Sequence, residues 1–338
     1  MKRNFLRDVL LLLCAGCLMG ACGTKHEEKK TLPPSKGLPY ELLLVVDENL
    51  WNAPAGDSLR KKVAEAGMPG LPQNEPMFRT VRLYPKHFTQ MYVTMRNILA
   101  VKENKALESV KMGVARDVEA APQVYVSVET PDADALMEFL SRNAGRITDV
   151  FVESELAQEK LRLEKKYNLD VYKASQGIFG CGVKVPAELG ALKKGDDFLW
   201  ASTDRVDQDM NYVCYALPYA AWRELSAVKW AEMRDSVMKR NIPGSTPRQW
   251  MTTTWEKGVP LVAVRTVQAE GQPLCEMRGL WEMHNGGIGG AFVSVARPDS
   301  LHNRVLVAEG FVYSPRSPKR DLLRRMEAAL RTLQVEKR

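Results

Sequence analysis

The clearest fold signal lies in residues 273–313, PLCEMRGLWEMHNGGIGGAFVSVARPDSLHNRVLVAEGFVY. Apolar and polar residues alternate over this region and just before it, in four stretches: 259–268, 273–283, 288–297 and 304–313. Such alternation is typical of strands that bury one face. Turn-forming residues separate the stretches: Glu270-Gly271, His284–Gly287 and Pro298–Asn303. Because an Asn-Gly pair favours a tight hairpin turn, the sequence predicts an antiparallel meander.

Further strands are predicted on the amino-terminal side of the meander, at 40–46, 78–84, 91–101, 109–117, 123–129, 178–186, 196–203 and 210–218. Those between 78 and 129 follow one another too closely for the crossovers that parallel pairing requires. Clusters of strands with helices between them predict the α+β class, with mostly antiparallel sheets and helices packed on one face. The body would then divide into two subdomains of similar size, 39–168 and 169–335.

The predicted helices cover 58–66, a segment that begins near Thr130, 149–167, 222–240 and 318–334. Asp57 is placed to cap the first helix, and Pro131 is placed at the first position of the second. The last helix is basic and amphipathic. It is expected either to dock on the sheet with its charges in water or to touch anionic headgroups.

The first 22 residues have the pattern of a lipoprotein export signal. Lys2, Arg3 and Arg7 precede an apolar run, and two small residues precede Cys22. The run of about 11 residues would span about 16 Å as a helix, which is too short to cross a bilayer core of about 30 Å. We therefore expect residues 1–21 to be a cleaved signal peptide and Cys22 to be lipidated. Cys17 is a rival acceptor, but it would leave a shorter apolar run than signal peptides use.

Residues 22–38 comprise the lipidated cysteine and a stretch with few apolar residues and a Pro-Pro pair, which predicts a disordered tether. The protein would be exported and anchored by lipid to the cell envelope, at the outer membrane, on its periplasmic or surface face. The net charge of +7 would fall to +5 after loss of residues 1–21. This modest excess is spread along the chain, so a nucleic-acid partner is not expected.

The remaining cysteines are Cys181, Cys214 and Cys275. Their odd number and the absence of a CxxC spacing exclude a disulfide framework and a zinc cluster, but they leave open whether two of them form one bridge. The four histidines, at 26, 87, 284 and 302, have no metal-ligand spacing.

Several short motifs suggest chemistry but lack the residues that must accompany them. Ser58-x-x-Lys61 and Ser226-x-x-Lys229 match a serine nucleophile motif without its companion motifs. Asp207–Asn211 resembles the start of a calcium loop but lacks the glycine and the bidentate glutamate. The glycine-rich segment 286–290 joins two strands and does not open a helix, so it is interpreted as a turn. No catalytic residue, metal ligand or cofactor is predicted.

The meander also carries a family resemblance. Residues Arg278–Met283, Gly289–Ser294, Glu309–Tyr313 and Lys319–Asp321 resemble an uncharacterised lipoprotein family of the Bacteroides group, domain of unknown function 4837. Three earlier segments fit the same pattern, so the resemblance spans nearly the whole mature chain: Asp47–Trp51, Arg96–Ile98 and Pro122-Gln123. Ala291 stands where a proline is expected. The resemblance implies a lipid-anchored envelope protein and implies no activity.

The expected function is therefore that of a non-enzymatic binding or structural lipoprotein, attached to a membrane through its lipid and partnered by an envelope protein or a glycan. The alternative is a hydrolase acting on glycan or peptidoglycan, or a carbohydrate-binding protein. A glycan site needs stacking aromatic rings beside carboxylates. The candidate ligand contacts are Trp51, Trp281, Asp47 and Glu282, with Trp250, Trp255 and Glu256 as further members.

Overall fold

The computed structural model describes residues 31–269 and 272–335. The predicted signal peptide, Cys22 and residues 22–30 of the predicted tether lie outside the described residues, as does the Glu270-Gly271 turn. Within the described ranges, no helix is long and apolar enough to cross a membrane.

The first half of the body is built on a five-stranded mixed sheet. Its strands are β1 (Glu41–Val46), β2 (Arg79–Leu83), β3 (Asn97–Glu103), β4 (Lys111–Arg116) and β5 (Val124–Thr130). They lie in the order β2-β1-β3-β5-β4. β1 pairs in parallel with β2 and β3, and β3 pairs in parallel with β5. Only β4 and β5 are antiparallel.

The antiparallel pairing expected for this half thus holds for one strand pair. The crossover from β1 to β2 is helical, through α1 (Glu48–Asn52), α2 (Pro54–Leu59) and a π-helical turn at Arg60–Ala64. Residues 47–52, expected as a loop, are therefore mostly helical. The helix expected at 58–66 begins instead at Pro54, which occupies its first turn. The chain runs back along β4 between the parallel strands β3 and β5, so these two strands are connected without a helical crossover.

A single helix, α3 (Ala133–Lys165), replaces the two helices expected between Thr130 and Tyr167. The Asp132 side chain caps it by accepting a hydrogen bond from the Ala135 N–H at 2.8 Å, so Pro131 lies before the cap. Ala144 and Ile147, in the polar middle of the segment, are buried, and this packing keeps the helix continuous. A further helix, α4 (Leu169–Phe179), ends at Gly180, where φ is 65°. The strand expected at 178–186 is wrong, because α4 and irregular chain occupy this segment.

The second half contains an eight-stranded antiparallel sheet. Its strands are β6 (Ala191–Lys194), β7 (Phe198–Ser202), β8 (Asp209–Pro218), β9 (Met251–Thr253), β12 (Val262–Ala269), β13 (Gln272–Met283), β14 (Gly289–Asp299) and β15 (Arg304–Tyr313). The main order is β12-β13-β14-β15-β8-β7-β6, and β9 pairs with the end of β13. β10 (Trp255–Glu256) and β11 (Val259–Pro260) form a separate hairpin. The predicted meander is confirmed. In the β13–β14 turn, Asn285 and not Gly286 has the positive φ, 54°.

β14 and β15 are buried on both sides because helices cover both faces of this sheet. α5 (Ala227–Asn241) packs on one face, against β9 and β12. α6 (Arg320–Leu330) packs on the other face, against β14 and β15, and also contacts α3. One hydrophobic cluster therefore joins the two sheets through α3 and α6; it includes Leu42, Phe151, Val293 and Leu330.

Two expectations about charged and polar segments need correction. Arg320, Arg324 and Arg331 are buried, so the basic helix does not hold these charges in water. The predicted tether is ordered from Pro33, because the Ala121 N–H donates to the Pro33 carbonyl at 2.9 Å and the Lys36 N–H donates to the Thr94 carbonyl at 2.8 Å. The compact body therefore begins at Pro33.

Candidate ligand-binding cleft

The charged side chains of α6 meet in the junction between the two halves. Spacings of three and four residues place Arg320, Arg324, Glu327 and Arg331 along one face of the helix. Glu327 is fully buried and contacts three guanidinium groups, from Arg278 at 2.6 Å, Arg324 at 2.7 Å and Arg331 at 3.1 Å. Burial opposes ionisation of this carboxyl, but the three guanidinium groups hold its pKa well below the usual range.

This network contains more donors than acceptors. A second buried carboxylate, Glu276, contacts Arg265 at 2.8 Å and Arg278 at 2.7 Å. Two fully buried carboxylates thus face three buried guanidinium groups. Within residues 31–269 and 272–335, Nε of Arg324, Nε of Arg331 and Nη1 of Arg278 have no hydrogen-bond partner, and one acceptor, Glu276 Oε2, also lacks a hydrogen bond and lies 4.0 Å from Arg331. Unpaired buried donors are costly, so the network as it stands is incomplete.

A cleft of about 390 Å³ opens at the Arg324 end of this network. Its lining comes from the first half and from α6: Leu38, Pro39, Tyr40, Arg79, Glu155, Glu159, Arg162, Asp321, Arg324 and Arg325. The four arginines outnumber the three carboxylates in this lining. The cleft therefore carries a surplus of positive charge.

The carboxylates of the cleft are already engaged. Glu155 accepts hydrogen bonds from Nε and Nη2 of Arg96, each at 2.7 Å, and from Asn97 at 2.7 Å. Glu159 pairs with Arg162 at 2.8 Å and lies 3.6 Å from Arg325. Asp321 pairs with Arg79, and it accepts from Arg320 Nε at 2.9 Å. Outside the lining, Arg96 and Arg320 pair with carboxylates of the cleft, while Glu327 and Glu188 pair with Arg324 and Arg325, so the surplus stays at the one positive charge that the lining shows.

Tyr40 is the most unusual residue of the cleft. Its φ is 59°, in the left-handed region that a bulky residue rarely adopts. Only 5% of the residue is exposed, and its hydroxyl has no hydrogen-bond partner in the part of the chain that the structure describes. Burial raises the pKa of Tyr40 far above its usual value although Arg324 opposes the shift, so the hydroxyl stays protonated and can donate. The Arg324 guanidinium lies 5.4 Å from the centre of the Tyr40 ring.

Asp47 and Trp51, two of the predicted ligand contacts, lie together after β1. The Trp51 N–H donates to the Asp47 carbonyl at 3.0 Å, and the Asp47 side chain accepts from the Glu103 N–H at 2.7 Å. The guanidinium groups of Arg60 and Arg82 lie 4.5 Å and 4.9 Å from the centre of the half-buried Trp51 ring. Two cations thus already contact the π system of this ring.

Trp281 and Glu282 lie on β13 of the other sheet. Trp281 is 4% exposed, donates to the Val312 carbonyl at 3.2 Å and packs edge-on against Phe311. Glu282 is exposed. Trp51 packs against the cluster between the sheets, whereas Trp281 belongs to the cluster beneath α5. The structure therefore does not bring the four predicted contacts together, and none of them lines the cleft.

The further aromatic candidates also have partners of their own. Trp250 stacks on His284 with the ring centres 4.2 Å apart, and the Trp255 indole donates to Asp235 at 2.8 Å. Glu256 is exposed. The residues that sequence reasoning missed are Tyr40, Arg79 and Arg324. The basic character of the last helix was a signal for Arg324, whereas no sequence pattern pointed to Tyr40 or Arg79.

Cys181, Cys214 and Cys275 are free thiols. Cys181 and Cys214 are neighbours, and hydrogen bonds from Cys214 and Ser175 lower the pKa of Cys181 against the effect of burial. Cys275 is separate and bonds to Thr266. Across the described ranges, no group of three or more histidine, cysteine, aspartate or glutamate residues is arranged to hold a metal ion.

Comparison with known proteins places both halves in families. No curated protein and no solved structure matches the chain. Residues 168–332 match the family model described as Domain of unknown function (DUF4837), and residues 35–164 match Domain of unknown function (DUF8532). The single resemblance expected over nearly the whole mature chain is thus divided between two models, close to the predicted boundary at 168. The chain therefore contains a region that matches DUF8532, followed by a region that matches DUF4837.

Proposed function

We propose that this protein is a lipid-anchored protein of the cell envelope that acts by binding and not by catalysis. The signal-like pattern of residues 1–22 supports export and lipidation at Cys22. The membrane expected to carry it is the outer membrane, with the body on the periplasmic or surface face. The binding role is supported by the cleft between the DUF8532 and DUF4837 regions, to which both contribute side chains.

The observation that carries the binding role is the excess of unpaired donors in the cleft. Catalysis by paired carboxylates needs one protonated group that can deliver its proton to a leaving group. Both oxygens of Glu155 are occupied as acceptors, and Glu159 and Asp321 are each held by arginines. Asp47 and Trp51, named for a glycan-acting enzyme, lie apart from Trp281 and Glu282, so no second function is proposed.

The anchor is tested by replacing Cys22 with alanine. Wild-type protein is expected in the membrane fraction, labelled by a palmitate analogue, whereas Cys22→Ala is expected to be soluble and unlabelled. Its thermal midpoint should not change, because the compact body begins at Pro33, downstream of the lipid. Cys17→Ala, at the rival acceptor, is the matched control and should remain labelled. Label retained on Cys22→Ala would overturn the anchor.

The absence of catalysis is tested with simple ester, peptide and glycoside substrates. No turnover above the buffer rate is expected. Turnover that disappears in Glu155→Gln or Glu159→Gln would assign the cleft to an enzyme instead.

A further inference from the structure

We infer that the cleft binds a small oxyanion, a carboxylate or phosphate group, through the Tyr40 hydroxyl and the Arg324 guanidinium; this rests on the binding role proposed above and specifies its ligand. The two residues are adjacent, with the guanidinium 5.4 Å from the ring centre. They come from different family regions, so the ligand would bridge the junction between them.

Two unpaired donors support this chemistry. The Tyr40 residue is 5% exposed and the Arg324 side chain is 3% exposed, yet neither Tyr40 Oη nor Arg324 Nε has a partner among the residues that the structure describes. An unsatisfied buried polar group costs about 1–3 kcal/mol. A ligand with two anionic acceptor oxygens on one centre can accept from both donors, and its bond to the guanidinium is charge-assisted, which the bond from a neutral hydroxyl oxygen to the same group is to a lesser degree.

The charge of the cleft favours an anion over a cation or a neutral sugar. Arg79, Arg162 and Arg325 surround the two donors, with side chains 41%, 55% and 36% exposed. Their planar groups match the oxygens of carboxylate and phosphate. A cation would find each carboxylate of the cleft already paired, and a neutral sugar would gain little from four guanidinium groups.

The backbone holds Tyr40 in place before any ligand arrives. The turn from Leu38 to Glu41 is fixed by the Leu38 N–H donating to the Glu41 side chain at 2.8 Å and by Arg79 Nη1 donating to the Pro39 carbonyl at 3.0 Å. A left-handed conformation at a non-glycine residue is unfavourable and is found preferentially at ligand sites. The strained turn thus presents the Tyr40 side chain beside Arg324 with little left to order on binding.

The size of the cleft limits the ligand. A volume of about 390 Å³ lies at the small end of small-molecule sites, which are about 300–1,000 Å³. We therefore expect a small molecule or a single anionic group, and not a long stretch of polymer.

The test is thermal unfolding of the full-length chain, purified in detergent, with increasing inorganic phosphate or acetate and with sodium chloride at the same ionic strength. A ligand that binds only the folded state raises the midpoint progressively above its dissociation constant. We expect phosphate or acetate to raise the midpoint and the matched chloride series not to.

Tyr40→Phe keeps the ring and removes one donor, so it should weaken the anion response about tenfold. Arg162→Ala, on the exposed wall, should weaken it by a smaller factor and remain folded. Arg142→Ala is the matched control, because Arg142 lies on the same helix as Arg162, is 70% exposed and pairs with Glu138, outside the cleft. Its response should equal that of wild type.

Three results overturn the inference: an equal rise in chloride, no rise in phosphate or acetate, or an undiminished rise in Tyr40→Phe. Such a failure is distinct from failure of the proposed function. The anchor is measured by labelling at Cys22, and the absence of catalysis by the substrate assay. An adventitious surface ion would lose as much affinity in Arg142→Ala as in Tyr40→Phe.

Discussion

The eight-stranded sheet buries an ion network on each face, and the two networks are built differently. Beneath α5, Arg234 and Glu309 are both fully buried and pair at 2.7 Å, and Arg234 also lies 3.5 Å from Asp235. Arg234 donates to Glu309 through Nε at 2.8 Å and through Nη2 at 2.7 Å, and through Nη1 to Thr253 at 3.2 Å. Its guanidinium also lies 4.0 Å from the centre of the Phe292 ring. Each nitrogen of this arginine has a partner.

Beneath α6, three buried arginines share Glu276 and Glu327, and three of their nitrogens are left without partners in the described ranges. The two faces also differ in the titration of their carboxyls. Burial raises the pKa of Glu309 although Arg234 opposes it, whereas three guanidinium groups outweigh burial and lower the pKa of Glu327. Unpaired donors occur on both faces, since Tyr215 Oη and Trp230 Nε1 near the Arg234 pair also lack hydrogen bonds in the described ranges. The difference is that the charged donor Arg324 lies beside a cleft, where an added anion has room to bind.

The largest expected effect is at the network beneath α5, formed by Arg234, Glu309 and Thr253 and called the closed network below. Arg234→Ala leaves Glu309 buried without its partner and should destabilise the protein by about 3–5 kcal/mol. The free energy of unfolding from denaturant titration measures this. The double variant Arg234→Met, Glu309→Leu should recover most of the loss, because an apolar pair leaves no buried charge. Equal destabilisation of the single and double variants would show that shape, and not charge, holds this site.

A smaller loss of stability is expected at the network beneath α6, formed by Arg278, Arg324, Arg331, Glu276 and Glu327 and called the open network below. Glu327→Gln should cost about 2–3 kcal/mol, because the hydrogen bonds it weakens involve charged groups. The loss is limited because Arg278 remains paired with Glu276, and Arg331 remains paired with Glu153 at 2.6 Å. The same denaturant titration measures it, and a loss as large as that of Arg234→Ala would contradict the contrast between the two networks.

The pH dependence of these carboxyls should have opposite signs. Glu327 has a lowered pKa in the folded state, so it stabilises the protein above the ordinary value of 4.5, and this contribution is lost as the pH falls below that value. Glu309 has a raised pKa, so its contribution is present below 4.5 and is lost as the pH rises through its folded pKa. Stability measured against pH should therefore flatten on the acid side in Glu327→Gln and gain acid sensitivity in Glu309→Gln.

The open network is also joined across the family boundary by a helix cap. Glu75, in the first half, accepts hydrogen bonds from the N–H groups of Lys319 at 2.9 Å and Arg320 at 3.0 Å. Glu75→Ala should cost about 0.5–2 kcal/mol, as loss of a helix cap does. Glu65→Ala, at an exposed glutamate of the same half, is the control and should change little. If Glu75→Ala cost no more stability than Glu65→Ala, the helix cap by Glu75 would not stabilise the contact between the two halves.

The meander was predictable from sequence because its alternation and its Asn285-Gly286 turn are local signals. The parallel pairing of β1, β2 and β3 was not, since it depends on which strands become neighbours, and β4 acts as a return segment that no local pattern reveals. The single helix α3 was missed for a related reason. Its polar middle around Gly145 looks like a break, and tertiary burial of Ile147 overrides that local preference.

The cleft was even less accessible from the sequence. Its defining residues, Tyr40, Arg79 and Arg324, are separated by long stretches of chain, and neither a left-handed φ nor an unpaired donor can be read from residue types. The basic stripe of α6 was visible, but its solvated interpretation failed because Glu327 on the same helix and Glu153 of the other half pair with its arginine side chains. The family models divide the chain near residue 168, but they do not indicate that the two regions form a cleft where they meet.

The smallest expected effect gives the sharpest contrast between the two faces. Tyr40→Phe removes a hydroxyl that has no partner in the described structure, so without ligand the free energy of unfolding should change by less than about 1 kcal/mol, or rise. Thr253→Val is the matched case in the closed network. Its hydroxyl bonds Asp235 at 2.7 Å and Arg234 at 3.2 Å, and its loss should cost about 1–3 kcal/mol. In phosphate, wild type should gain stability that Tyr40→Phe does not. A large loss of unfolding free energy in Tyr40→Phe without ligand would mean that the hydroxyl already has a hydrogen-bond partner. The contrast between the open and closed networks would then fail.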